Sequence, residues 1–167
     1  MRATNIYILL LPLLFLFTGC GVYSFSGATI EGKTLNIHEL DNKARNVEPS
    51  LAATLTDMLR SRILSQTGLT PVTKDDADYD MTGAITSYEV TVTGATSVQI
   101  ASKNRLTMSV QIVFKNRLND KASFTQTFTR FSDFDASQIL DNVKAALITD
   151  IGTQLADDIF NKAFVNW

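Results

Sequence analysis

Leu106-Thr107-Met108-Ser109-Val110-Gln111-Ile112-Val113-Phe114 decides the fold. Apolar side chains at 106, 108, 110, 112 and 114 alternate without a break against Arg105, Thr107, Ser109, Gln111 and Val113. A period of two is that of a strand with one buried face and one wet face. The neighbouring stretches fit it. Upstream, Tyr79 to Thr93 is rich in Thr, Val, Ile and Tyr; downstream, Ala122 to Phe134 carries Phe124 and Phe128 interleaved with Thr125, Thr127 and Thr129. Asn116 to Lys121 reads as the hairpin loop joining the last two. Gly94 to Lys103, containing glycine and serine, connects the first two. The three stretches form an antiparallel meander with one apolar and one hydroxyl-rich face.

Two helical patterns flank the meander. Glu48-Pro49-Ser50 opens the first, since proline suits a first helical turn, where its missing N–H would be unpaired anyway. Leu51, Leu55, Met58, Leu59 and Ile63 then mark one face at steps of three and four. Gly68 is the expected C-terminal cap, with Pro71 just beyond it. Arg60 and Arg62 lie off the stripe, either as a solvated face or as an anion contact. In the second pattern, Asp135-Ala136-Ser137-Gln138 resembles a capping box. Ile139, Val143, Leu147, Ile151 and Leu155 follow at four-residue steps, flanked by Leu140, Ile148 and Ile159, and carry the helix to about Phe160. The tail Phe164-Val165-Asn166-Trp167 ends in an aromatic with an exposed look. Before the first helix, Thr34 to Leu40 reads as a strand, with Leu35 and Ile37 inward and His38 on the polar side. Asp41 to Val47 reads as a polar loop.

The order is therefore β-α-β-β-β-α. It predicts an α+β two-layer sandwich, with two helices packed on one face of a four-stranded mixed sheet. The sheet is mixed because a β-α-β start sets the first strand parallel to its neighbour.

The N-terminus carries a different message. Met1 and Arg2 lead into an apolar run from Ile6 to Phe17, followed by Thr18, Gly19 and Cys20, the chain's one cysteine. Twelve residues are too few to cross a hydrocarbon core, which takes about 20 in a helix, but they suit the h-region of a secretory signal. The junction resembles the bacterial lipobox, with Phe17 where the pattern prefers leucine. That resemblance implies cleavage before Cys20 and acylation of Cys20. Residues 1–19 are then a lipoprotein signal peptide, 20–33 a lipidated tether, and 34–167 a single α+β domain. Gly21-Val22-Tyr23-Ser24 has no acidic residue directly after the cysteine. By known sorting rules this implies the periplasmic leaflet of the outer membrane.

Composition narrows the chemistry. Fifteen Lys and Arg against 17 Asp and Glu give a net charge of −2, no electrostatic footprint for nucleic acid. With Cys20 acylated no thiol is left for a disulfide, a metal or a nucleophile. His38 has no ligand partners at metal-binding spacing and is expected to be solvated or hydrogen-bonded. Lys74-Asp75-Asp76-Ala77-Asp78 lacks the glycine and distal glutamate of a calcium loop and reads as a solvated turn. No nucleophile elbow, phosphate loop, glycine fingerprint or zinc motif occurs. The chain is expected to be non-catalytic, with no cofactor and no metal. Basic residues near loops (Lys103, Arg105, Lys115, Arg117) serve solubility and edge protection, or, near a membrane, the phosphates of an anionic glycolipid.

An ordered set of segments resembles a known family. After the lipobox come Gly21-Val22-Tyr23-Ser24-Phe25-Ser26-Gly27 and Lys33-Thr34-Leu35-Asn36-Ile37. The helix opened by Pro49 and ended by Thr67-Gly68-Leu69 follows, then Ala77-Asp78-Tyr79-Asp80-Met81-Thr82-Gly83-Ala84-Ile85. This resembles the LptE family of lipopolysaccharide-assembly lipoproteins, over nearly all of the chain after Cys20. The resemblance implies the same helix-on-sheet sandwich. It also implies a non-catalytic outer-membrane lipoprotein that plugs an LptD-type β-barrel, assists its assembly and helps deliver lipopolysaccharide to the cell surface. Basic residues on a strand and loop contact lipopolysaccharide in that family, and Lys103 and Arg105 are the nearest candidates here. Two other readings stay open: an accessory lipoprotein of another envelope transport or export system, and a structural surface lipoprotein.

Overall fold

The computed structural model describes residues 30–93 and 103–165. Cys20, most of the Gly94–Lys103 connection and Trp167 fall outside them. In chain order the elements are β1 (Thr34–Ile37), β2 (Asp41–Asn42), α1 (Leu51–Gln66), β3 (Thr70–Pro71), β4 (Tyr79–Thr93), β5 (Lys103–Asn116), a 3-10 turn (Asp120–Ala122), β6 (Phe124–Asp135) and α2 (Leu140–Phe164). Both helices pack on one side of a mixed sheet ordered β3-β1-β4-β5-β6. The sheet has six strands rather than the expected four, because β2 and β3 are two-residue strands too short for any periodicity. β2 continues the line of β1 along β4, pairing Asp41 with Ala84 and Asn42 with Ile85. The expected loop after Leu40 therefore begins as a strand.

The alternation of β5 is realised in full. Leu106, Met108, Val110, Ile112 and Phe114 are all buried under the helices. β5 pairs with β6 without a register shift, from Lys103 opposite Asp135 to Phe114 opposite Phe124. With β4 the register slips once, between Ile85 and Ser87, so Thr86 is an extra residue that bends β4. β1 runs parallel to β4, with Leu35 opposite Tyr79 and Ile37 opposite Met81.

α1 starts where proline placed it, but Thr56, not Met58, completes its buried stripe with Leu51, Leu55, Leu59 and Ile63. Burying a hydroxyl is tolerated because both its bonds are made. Thr56 Oγ1 donates to the Ala52 carbonyl at 2.7 Å and accepts from the Leu40 N–H at 3.0 Å. That ties the bend between β1 and β2 to the helix. The helix is closed by Thr67 rather than Gly68. Its N–H and its hydroxyl both donate to the Ile63 carbonyl, at 3.0 and 2.9 Å, so no left-handed glycine is needed. Gly68 then leads into β3, where Thr70 N–H donates to the Lys33 carbonyl and Val72 N–H to the Leu35 carbonyl. Pro71, expected only to stop the helix, is an edge-strand residue. Its missing N–H is harmless there.

The expected capping box does not form. Asp135 Oδ1 accepts from the Ser137 N–H at 2.8 Å and the Ser137 hydroxyl at 2.6 Å, closing β6 in a turn. α2 begins at Leu140 without a side-chain cap, leaving Ile139 67% exposed instead of in the core. At the other end α2 runs one turn beyond Phe160. Phe164 is buried between Tyr79 and Phe114, with ring centroids 5.4 and 5.5 Å away. The two helices touch at Gly152, whose missing side chain leaves room for Met58 and Leu55.

The N-terminal end of β1 is held electrostatically. Lys33 and Thr34 donate their N–H groups to Asp78 Oδ2 at 2.7 and 3.0 Å. These two bonds hold the Asp78 carboxyl below its usual range, the Lys33 bond contributing most. A depressed pKa in the folded state means stability present above the ordinary carboxylate range and lost as pH falls through the lowered value. Asp78→Asn is expected to speed amide exchange at Lys33 and Thr34 and to abolish its acid dependence. Unchanged protection would show that the charge does not hold this end of the strand.

Candidate functional site

The side of the sheet facing away from the helices is an open surface. β5 presents Arg105, Thr107, Ser109, Gln111 and Val113. In register beside them stand Thr91, Glu89 and Ser87 of β4, and Asp133, Phe131, Thr129, Thr127 and Thr125 of β6. Hydroxyls dominate, and they bond across strands to a neighbouring hydroxyl or to main chain. Ser109 Oγ lies 2.8 Å from Thr129 Oγ1, and Thr86 Oγ1 donates to the Ser109 carbonyl at 3.3 Å. β-branched threonine is at home on a pleated surface, and its hydroxyl leaves that surface wettable.

Lys103 and Arg105 meet at one end of this face. Lys103 opens β5 opposite Thr93 and Asp135, and its carbonyl accepts the Thr93 hydroxyl at 3.1 Å. Arg105 is clamped. Its Nε and Nη2 donate to the two oxygens of Asp133 at 2.7 and 3.0 Å, and its guanidinium lies 3.7 Å above the Phe131 ring. The bidentate bond raises the arginine pKa and lowers that of Asp133. The arrangement is a fixed cation on an aromatic that is itself 48% exposed. Sequence reasoning reached the two cations and missed Asp133 and Phe131. The hairpin turn contained the signal, because counting back from it on both strands sets Arg105 opposite Asp133 and Thr107 opposite Phe131.

The remaining sequence candidates serve structure. His38 Nε2 lies 2.9 Å from both Asp80 Oδ1 and Asn36 Nδ2, so it is hydrogen-bonded as expected. Arg60 pairs with Asp57 at 2.9 Å and donates to the Ile37 carbonyl at 3.2 Å. Arg62 Nε lies 2.7 Å from Asp157 Oδ1 on α2. In the acidic turn the Asp78 carboxylate is taken up by the β1 end, and the Asp75 main-chain carbonyl accepts from Arg117. Among the described residues no group of three His, Cys, Asp or Glu could hold a metal ion, and no helix is long and apolar enough to cross a membrane. A groove of about 310 Å3 runs between α1 and the β1–β3 edge, lined by Leu35, Ile37, Arg60, Leu64, Pro71, Val72 and Thr73. It brings no acid–base pair together.

Solved structures share the architecture. A minor lipoprotein from Acinetobacter baumannii superposes with a TM-score of 0.54 at 16% identity, covering 80% of this chain and 93% of its own. A hypothetical protein from Chlamydia trachomatis gives 0.53 at 8% identity, covering 79% and 98%. A putative neuraminyllactose-binding hemagglutinin homolog from Helicobacter pylori gives 0.51 at 10% identity, covering 84% and 88%. At such identities the likeness is one of fold. No curated protein matches the chain in sequence. The family model described as lipopolysaccharide-assembly, LptE, matches residues 32–163. That span runs from just before β1 to the last turn of α2, and the chain belongs to the LptE family of lipopolysaccharide assembly.

Proposed function

We propose that this chain is a non-catalytic, lipid-anchored outer-membrane protein that plugs an LptD-type β-barrel and helps pass lipopolysaccharide through it. Its signal would be residues 1–19, its acylated anchor Cys20, and its tether residues 20–33, with the body on the periplasmic leaflet. The observation that carries the reading is the open sheet face of a chain in a lipopolysaccharide-assembly family. A large barrel has a polar, water-filled interior. A face of hydroxyls can meet such a wall through direct and water-mediated hydrogen bonds without burying unpaired charge. Two or three acyl chains, at about 0.8 kcal/mol per buried CH2, hold such a body firmly at the membrane. Lys103 and Arg105 are the proposed contacts for glycolipid phosphates. Arg105 enters such a contact by exchanging or sharing Asp133, keeping its place on Phe131.

The test is affinity purification of the tagged lipoprotein from detergent-solubilised outer membrane. A stoichiometric barrel with bound lipopolysaccharide is expected. The Lys103→Ala, Arg105→Ala double variant is expected to keep the barrel and lose glycolipid several-fold. Cys20→Ala is expected to leave the membrane fraction with an unchanged circular-dichroism spectrum, since the role proposed for that residue is to carry the anchor and not to build the domain. Recovery of a different transporter would favour the accessory-lipoprotein reading instead. Digestion by protease on intact cells would favour the structural surface one.

A further inference from the structure

Several ion pairs join the helices to one another or to the sheet. Arg62 reaches from α1 to Asp157 of α2, Arg130 from β6 to Asp158 of α2, and Lys144 from α2 to Glu48 ahead of α1. The Arg105–Asp133 pair joins nothing new. Its residues already stand opposite each other in the β5–β6 ladder, with Asn104–Phe134 and Leu106–Ser132 paired on either side. Both side chains are partly exposed, where an ion pair adds little to stability. The clamp is surplus to the fold, yet it fixes Arg105 by two charge-assisted bonds.

The charges at this end of the open face cancel. Lys103 and Arg105 stand in register opposite Asp135 and Asp133. The Asp135 carboxylate is engaged by the N–H and hydroxyl of Ser137, whereas Asp133 lies directly on Arg105. Hydrogen bonding to Arg105 holds the Asp133 carboxyl below its usual range, so it is ionised at neutral pH. A guanidinium has five N–H donors, and Asp133 takes one from Nε and one from Nη2. An arriving phosphate therefore meets no net positive field and finds the forked edge of the guanidinium occupied. The occupant belongs to the chain, so it returns to Arg105 without the loss of translational freedom that a free ligand suffers. Phe131 does not compete. Its ring holds the face of the guanidinium, not its edge, and keeps the cation in place when the edge changes partner.

We infer that Asp133 is a tethered competitor for Arg105: it holds the guanidinium between encounters, yields to a phosphate of the glycolipid, and returns to release it. The inference rests on the glycolipid contact proposed above and adds how that contact ends. A site on a delivery route must hold its cargo weakly enough to let it go. Phe131 is the platform, Arg105 the cation that changes partner, and Asp133 the group that limits the residence time.

The test is a binding and dissociation series by surface plasmon resonance, with the full detergent-solubilised chain immobilised and purified lipopolysaccharide in the same detergent as the probe. Asp133→Asn keeps the shape and a neutral acceptor but removes the competing charge. It is expected to lower the dissociation constant about five- to tenfold, mainly by slowing dissociation, since a charged partner bonds about twice as strongly as a neutral one. Asp133→Glu restores a carboxylate and is expected to reverse most of that gain. A residue that merely positioned Arg105 would give the opposite sign, with Asp133→Asn binding more weakly. Equal or weaker binding by Asp133→Asn, with the wild type still above the Lys103→Ala, Arg105→Ala double variant, overturns the competitor and leaves the glycolipid contact standing. A wild type no better than that double variant overturns the contact, and the competitor with it.

Discussion

Phe114→Ala is expected to remove about 3–5 kcal/mol of folding stability, the range for emptying a large aromatic site in a core. Few domains can lose that much, since the whole margin is about 5–15 kcal/mol. Phe114 is fully buried at the end of β5, where four elements meet. Its ring stacks on Tyr79 of β4 at 5.8 Å and 16°, tilts against Phe124 of β6 at 5.4 Å, and meets the edge of Phe164 of α2 at 5.5 Å. Tyr79 and Phe164 also touch each other at 5.4 Å. The cavity cannot close cheaply, because two of its walls are neighbouring strands in fixed register. Urea unfolding should show a much lower midpoint. A loss below about 1 kcal/mol would mean that the site collapses, contrary to the usual core behaviour.

Gly83→Ala is the second large effect, at about 3 kcal/mol, near the top of the ordinary overpacking range. A Cβ at residue 83 would lie 2.5 Å from the Gln111 carbonyl oxygen and 2.9 Å from methyl groups of Ile112 and Leu40. The carbonyl belongs to β5 and cannot retreat without loosening the β4–β5 ladder. Leu40 crosses at this point because β1 and β2 run along the same flank of β4 with a bend between them. Gly152→Ala is the informative control. Its Cβ would meet the Met58 sulfur at 2.7 Å and methyls of Met58 and Leu55 at 2.9 Å. Met58 is flexible, and alanine recovers about 0.8–1.0 kcal/mol of helix propensity. Thermal unfolding should therefore rank Gly83→Ala well below Gly152→Ala in stability. The reverse order would refute the account of both sites.

What was legible depended on the length of the signal. β4, β5 and β6 repeat an alternation over a dozen residues or more, and α1 and α2 repeat a stripe over several turns, so local chemistry alone identified them. From these the α+β sandwich followed, with both helices on the apolar face. β2 and β3 carry no signal of their own. They exist because neighbouring parallel strands offered free main-chain partners. Asp135 had two local uses, capping a helix or closing a strand. The turn to Ser137 won because β6 stays paired as far as Asp135.

The open face divides in the same way. The sequence by itself determined that β5 would show Arg105 and a run of hydroxyls to one side and bury Leu106 to Phe114 on the other. A strand has no alternative once one face is apolar, since a slip of one residue would invert every side chain. Only the tertiary structure decided that Arg105 is held by Asp133 over Phe131, that Phe164 closes the core, and that Gly83 lies beneath Leu40. Those contacts join residues tens of positions apart. They rest on inter-strand register, strand curvature and the docking of α2, which no local period encodes.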